Sequence, residues 1–291
     1  MIKDKNNKNN AIGEHSRIGD YKLLEAIGKR GKSMVYLAQQ ETPPNQKVVL
    51  RLIETAMDRQ EIMNAFKTIK QATALMNTSH IARFYDSGIS AVGYAYFVTE
   101  YVPGPSITEY CDKYRLTIPE RLALFREICQ VIRHAHFKGI VHAGLRPSSI
   151  RVVLQDGKPV IKIVDFGIAK ILADQDLIDN ALDTGDEADA PVYMSPEQAA
   201  LSDRDVDTRT DIYSLGVLLY ELLVGVTPFD KKELEKKGFM EILRKIREDS
   251  PARPGDRVAA FADEHGGEIA RKRRTTYAGM KKELPADLDW V

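Results

Sequence analysis

An α+β chain of two lobes is what the sequence predicts: a small antiparallel β lobe with one helix, then a larger, mainly helical lobe. Three observations predict it. Short β-type runs fill residues 21–101, apolar residues recur at helical spacing further on, and the change of period falls near residue 103, at the turn-rich "PGPS".

The runs "YKLLEAIG", "SMVYLAQQ", "KVVLRLIE" and "YAYFVTEYV" are rich in β-branched and aromatic residues and read as strands. Between the third and fourth, the stretch from about Asp58 to Met76 reads as a helix. After "PGPS", Leu122, Leu124, Phe125, Ile128, Val131 and Ile132 define the buried stripe of a helix over Ile118 to Lys138. "IRVVLQDGKPVIKIVDFG" reads as a hairpin turning at Asp156-Gly157. The longest apolar run, Ile212 to Val226, is broken by Glu221 and falls short of the about 20 residues a membrane span needs, so it reads as a buried helix. A cleft between the lobes is the expected binding site.

At 291 residues and 43% hydrophobic content the chain can bury a substantial core. Lys plus Arg and Asp plus Glu are equal at 42 each, so neither nucleic acid nor a membrane surface is an expected partner. The opening "MIKDKNNKNN" has no apolar core for a secretory signal, and a cytoplasmic location is expected. The expected division is a disordered lead-in over 1–19, the small lobe over 20–102 and the larger lobe over 103–291. Cys111 and Cys129 lack metal-ligand spacing and read as reduced thiols packed as small apolar groups. "GKRGKS" at 28–33 is two residues too short for a phosphate-binding P-loop and is followed by a strand. "RKRR" at 271–274 reads as a solvated face.

Seven motifs in order, "IGKRGKSMVYLA", "VVLRLIE", "FVTEYVPG", "IVHAGLRPSSI", "IKIVDFGIAK", "PVYMSPEQA" and "DIYSLGVLLYELLVGVTPF", resemble those of the bacterial, eukaryotic-like serine/threonine protein kinases over about residues 20–230. The resemblance implies the two-lobed protein kinase-like fold. It also implies a cleft in which Gly28, Val35, Val49, Arg51, Glu100, Val102 and Arg151 surround the nucleotide. Kinase chemistry is positioning and electrostatics around ATP phosphates, so each position has a defined task.

Several positions have lost theirs. Arg30 and Ser33 stand where the family has its second and third loop glycines; Gly31 partly relieves the turn, and a plain hairpin is expected. Arg51 replaces the phosphate-holding lysine with a larger planar cation. Ile69 falls at the position of the helix glutamate that would orient it, so the activating ion pair is expected to be absent. In the catalytic loop, Gly144 takes the place of the aspartate that accepts the substrate proton, and losing a general base costs about 10²- to 10⁴-fold in rate. Ala143 removes an arginine that docks a phosphorylated loop, Ser149 replaces the metal-binding asparagine with a weaker ligand, and Arg146 stands at the loop's basic position. Arg151 replaces the leucine on which adenine rests, and Ala190 replaces the threonine that braces the missing aspartate.

Asp165-Phe166-Gly167 is intact, so Asp165 keeps a carboxylate for Mg²⁺. His142, Leu145, Pro147, Phe166, Glu197, Asp211 and Gly216, which serve the frame, also remain. The selective loss of groups that touch ATP implies a pseudokinase: a regulatory module that binds a protein partner, an active kinase being one candidate, with no cofactor or only weak Mg-ATP. The alternative is a weakly active serine/threonine kinase using Arg51, Arg146 and Asp165. The acidic segment "DQDLIDNALDTGDEADAP" contains Thr184 as its hydroxyl residue before Tyr193. After "FDKKELEKKGF" the chain diverges from the family, and the last two helices of the larger lobe are expected to be lacking. With them would go the arginine that pairs Glu197, exposing apolar surface on the helix of Ile212 to Leu223.

Overall fold

The computed structural model describes residues 16–30, 33–54, 58–76, 78–166, 190–200, 206–231, 234 and 237–288. The small lobe is a six-stranded antiparallel sheet built from β1 (Arg17–Ile18), β2 (Tyr21–Arg30), β3 (Ser33–Gln40), β4 (Lys47–Ile53), β5 (Phe84–Ile89) and β6 (Ala95–Glu100). Its spatial order is β1-β2-β3-β4-β6-β5. Side chains alternate across it as the pleat requires. Val48, Leu50 and Leu52 pack with Leu23, Tyr36, Ala38 and Val98 on one face. On the other, Ile53 and Phe97 meet Ile62, Phe66 and Ile69 of α1 (Arg59–Met76), the face to which Val49 and Arg51 also belong.

The larger lobe starts with α2 (Ile107–Lys113) and α3 (Ile118–Phe137), each opened by a capping box, Ser106 with Glu109 and Thr117 with Glu120. A hairpin of β7 (Ile150–Gln155) and β8 (Lys158–Ile163) follows, turning through Asp156 and Gly157 at φ 51° and 75°. Those two left-handed residues make the tight turn expected of Asp-Gly. Then come α4 (Pro196–Ala199) and α5 (Thr208–Val224), followed by α6 (Phe239–Glu248), α7 (Pro254–Ala259), α8 (Asp263–Arg271) and α9 (Tyr277–Leu288). The main core joins α2, α3, β7, β8 and α5 through Ile107, Ile128, Ile132, Ile150, Ile161 and Leu218.

Five expectations need correction or completion. Arg17 and Ile18, inside the expected lead-in over 1–19, pair with Lys22 and Tyr21 as β1; residues 1–15 lie outside the described residues. Strand β5, "FYDSGI", was invisible to an apolar pattern because all six of its residues are only half-buried. Helix α2 is a short piece whose start signal, Ser-x-x-Glu, lies inside "PGPSITEY". The expected apolar face on α5 is covered: Leu223 and Val224 pack with Val258, Ile269, Ala270, Met280 and Leu284, while Ile212, 58% exposed, stays in solvent.

The fifth concerns "RKRR", which is not a uniformly solvated face, since Arg273 is 2% exposed. Its Nη2 and Nε donate to Leu222 O at 2.9 Å and Leu223 O at 2.5 Å, while Arg121 Nη1 reaches Leu222 O at 3.2 Å. Two guanidiniums thus satisfy carbonyls at the end of α5 that no helical amide can reach. Burial, then the nearby Arg121 charge, pushes the Arg273 pKa down to about 10. The Cys111 thiol is pushed up to about 11 by burial, consistent with a packed apolar role, and both cysteines are free.

Candidate functional site

The catalytic-loop frame hangs from one buried carboxylate. Asp211, on the first turn of α5, accepts Ala143 N–H at 2.8 Å on Oδ1, and on Oδ2 it accepts His142 N–H at 2.9 Å and is 2.8 Å from His136 Nε2. Asp211 is fully buried, which strengthens each of these charge-assisted bonds. Ala143 sits at φ 59°, a conformation that side chains disfavour. Its N–H is held by Asp211 and its carbonyl accepts Gln198 Nε2 at 2.8 Å, so the strained residue is pinned from both sides.

His142 joins this loop to the segment after β8. Its Nε2 donates to Val164 O at 3.0 Å while Nδ1 accepts Gly144 N–H at 3.2 Å, a pattern that requires the neutral ring with its proton on Nε2. The ring also meets Phe166 edge to face at 4.7 Å. Val164 N–H donates to Ser149 O at 2.9 Å, and Asp165 follows at φ 63°. Gly144 is half-buried within this ordered loop and places no acid or base there.

The structure brings Arg51 and Asp165 together. Arg51, from β4, donates from Nη2 to Asp165 Oδ2 at 2.9 Å, with side-chain exposures of 3% and 13%. Its guanidinium also lies 5.6 Å from the centre of the Phe97 ring. Ile69, where an orienting glutamate would stand, is 5% exposed within the apolar cluster under β4 and β6. Val35 lies directly opposite Arg51, and Val49 opposite Thr99, so both valines line the same face of the sheet.

Other expected contacts are rearranged. The Ser149 hydroxyl, expected as a weak metal ligand, donates to Arg146 O at 2.8 Å and accepts Arg146 N–H at 3.0 Å, closing the short turn before β7. Arg146 itself is 8% exposed, so its stem is packed rather than extended into solvent. The Glu100 carboxylate forms an ion pair with Lys162 and accepts Arg83 N–H at 3.2 Å, while Glu100 N–H donates to Arg83 O at 2.8 Å. Gly28 pairs opposite Val35, and β2 and β3 stay paired as far as Arg30 and Ser33, with 31 and 32 outside the described residues. A hairpin with Ser33 buried at 1% exposure thus stands where the phosphate-covering loop would be.

Arg151 is half-buried on β7, directly across from Lys162 on β8 and bridged through its backbone to Ser106. The Glu109 carboxyl is held below its ordinary range, chiefly by the Ser106 N–H, with Arg151 contributing less. Val102, 5% exposed, leads into Gly104, where an added Cβ would lie 2.2 Å from Val152 O. Only glycine permits that approach, which lets Val152 N–H reach Pro105 O at 3.0 Å and ties the inter-lobe connection to β7. Glu197, expected to lack its partner, accepts the Thr210 hydroxyl at 2.7 Å. Thr184 and Gly167 lie outside the described residues.

Sequence reasoning missed three contributors: Lys162 against Glu100, Phe97 against Arg51, and Gln198 bracing Ala143 O. The hairpin pattern of "IKIV" could have placed Lys162 opposite Arg151; nothing in the sequence alone points Gln198 at a residue 55 positions away.

Comparison with known proteins bears on the family and the fold. The family described as "Protein kinase domain" matches residues 21–267. A protein described as "Probable serine/threonine-protein kinase SCO3848" from Streptomyces coelicolor is 33% identical over 216 residues, 72% of this chain and 31% of that protein. Serine/threonine-protein kinase PknB of Mycobacterium tuberculosis is 31% identical over 214 residues, 72% of this chain and 33% of its own length. The chain therefore spans about a third of the length of these relatives. The crystal structure of the Mycobacterium tuberculosis PknI kinase domain covers 94% of this chain and 100% of its own, with a TM-score of 0.58 and 21% identity, a likeness of fold.

Two groups that would hold the Mg²⁺ of Mg-ATP, the ligand this fold implies, are engaged elsewhere in this structure. Mg²⁺ takes carboxylate oxygens at about 2.0–2.1 Å in a strict octahedron. Here Oδ2 of Asp165 already faces a buried guanidinium, and the Ser149 hydroxyl is turned into its own loop. Among the described residues no helix is long and apolar enough to cross a membrane.

Proposed function

This chain belongs to the protein kinase domain family, among the bacterial eukaryotic-like serine/threonine kinases, and on that premise we propose that it is a non-catalytic member, a kinase-fold module that acts by binding a protein partner. The observation that carries this reading is Gly144. It occupies the position of the proton-accepting aspartate in a loop whose frame is otherwise kept by Asp211, His142 and Gln198. Building that frame costs backbone strain at Ala143 and a buried carboxylate at Asp211, yet the frame presents no base. A frame retained without its chemistry suits recognition of a partner, and an active kinase is the partner class this fold suggests.

The test is transfer of labelled γ-phosphate from Mg-ATP and Mn-ATP, to the chain itself and to a generic acceptor protein, by the native chain and by Asp165→Asn. No transfer above the variant's background is expected. Asp165-dependent transfer would overturn the reading and establish a kinase that works without a carboxylate base at Gly144. Addition of the chain to an active bacterial serine/threonine kinase is expected to change that kinase's KM or kcat.

A further inference from the structure

We propose that Arg51 is the chain's own substitute for the metal ion of the cleft: its guanidinium binds Asp165 across the two lobes and holds the cleft in order with neither metal nor nucleotide. The proposal rests on the reading that the cleft does not transfer phosphate.

The pair joins β4 of the small lobe to the segment following β8 of the larger one, at 2.9 Å and with side chains 3% and 13% exposed. Arginine suits the task where lysine would not. It cannot shed its proton when buried, and its planar fork both meets a carboxylate and lies against an aromatic face, here Phe97 at 5.6 Å. Ile69, in the apolar cluster under β4 and β6, itself offers no acid to compete with Asp165 for the cation.

Asp165 is fixed on its other sides too. Its backbone is in the left-handed region at φ 63°, a state that persists only where surroundings over-determine it. The preceding residue is held through Val164 N–H to Ser149 O at 2.9 Å and His142 Nε2 to Val164 O at 3.0 Å; the following Phe166 packs on the His142 ring. The larger lobe therefore sets the backbone of Asp165 and the small lobe sets its carboxylate. A divalent ion taking Oδ2 of Asp165 would have to displace a buried guanidinium that lies over Phe97, which is costly in a low-dielectric interior.

The experiment is a double-mutant cycle read by urea unfolding, with Arg51→Met, Asp165→Asn and the double variant, alongside Mn²⁺ binding followed by electron paramagnetic resonance in the presence of ADP. Each single change leaves one buried charge behind and is expected to lower the folded-to-unfolded ratio by roughly 10²- to 10³-fold. The double variant removes both charges and is expected to recover most of that loss. The native chain is expected to bind no Mn²⁺ at Asp165, and Arg51→Met to gain Asp165-dependent binding. If Arg51→Met fails to fold, Arg51→Lys, whose ammonium lacks the fork, serves in its place and is expected to admit Mn²⁺ as well.

Additive single effects, or Asp165-dependent Mn²⁺ binding by the native chain, would overturn the latch. Metal binding without phosphate transfer would leave the proposed function standing, whereas transfer would overturn that function whatever the cycle reports.

Discussion

Replacing Asp211 by Asn should loosen the catalytic-loop frame while leaving the helix that carries it intact. The carboxylate accepts Ala143 N–H at 2.8 Å and His142 N–H at 2.9 Å, with His136 Nε2 at 2.8 Å, and is fully buried. Asparagine keeps one accepting oxygen. If that oxygen serves Ala143, the new amide NH₂ faces the His142 N–H, donor against donor. An orphaned buried donor costs about 1–3 kcal/mol, and replacing charged acceptors by a neutral one costs about 1 kcal/mol for each bond that survives. Relief of the buried charge offsets part of this, leaving a net loss of about 1–3 kcal/mol. That is a large share of the about 5–15 kcal/mol that holds a domain folded. Urea unfolding reads the loss, and amide hydrogen exchange should show the His142 and Ala143 N–H groups opening faster than those of α3. A variant within about 0.5 kcal/mol of the native chain, with unchanged exchange at those two amides, would refute the claim that Asp211 holds the loop.

Two glycines should respond in opposite ways to alanine. At Gly104 the new Cβ would meet Val152 O at 2.2 Å, so Gly104→Ala should break the Val152–Pro105 bond and cost about 1–3 kcal/mol, a fall of several degrees in Tm. At Gly216 a Cβ would meet nothing within 4 Å on an exposed turn of α5, and Gly216→Ala should stabilise by about 0.5–1 kcal/mol. The Glu120 carboxyl is drawn down from 4.5 to about 2, first by Arg274 and then by the Thr117 N–H and hydroxyl. A carboxyl depressed in the folded state stabilises above its unfolded value and loses that contribution as pH falls from 4.5 toward 2. Glu120→Gln should therefore flatten the decline of stability across that window in pH-dependent urea titrations.

Much of the architecture was legible because it depends on local period. The strands around Leu23, Val35 and Leu50, the helices of Phe66 and Ile128, and the Asp156-Gly157 turn all announce themselves within a few residues. Where the pattern is weak, reading failed. Strand β5 is half-buried throughout and shows no alternation, and Arg273 in "RKRR" reads as surface because the carbonyls it caps belong to a helix about 50 residues earlier.

That positions 144 and 69 carry no carboxylate, and that Arg30 and Ser33 carry side chains, is fixed by the sequence itself, because residue identity is a chemical fact whatever surrounds it. What became of the groups that stayed was decided only by the tertiary structure. Arg51 and Asp165 lie 114 positions apart, and each could have met a phosphate, a metal or solvent. Folding places them 2.9 Å apart in a buried cleft, where neither charge can remain without a partner, and Ser149 likewise turns from a possible ligand into a turn-closing hydroxyl. Residue identity sets which groups are present; the contact between lobes sets which partner a buried charge takes, because burial makes an uncompensated charge too costly to keep.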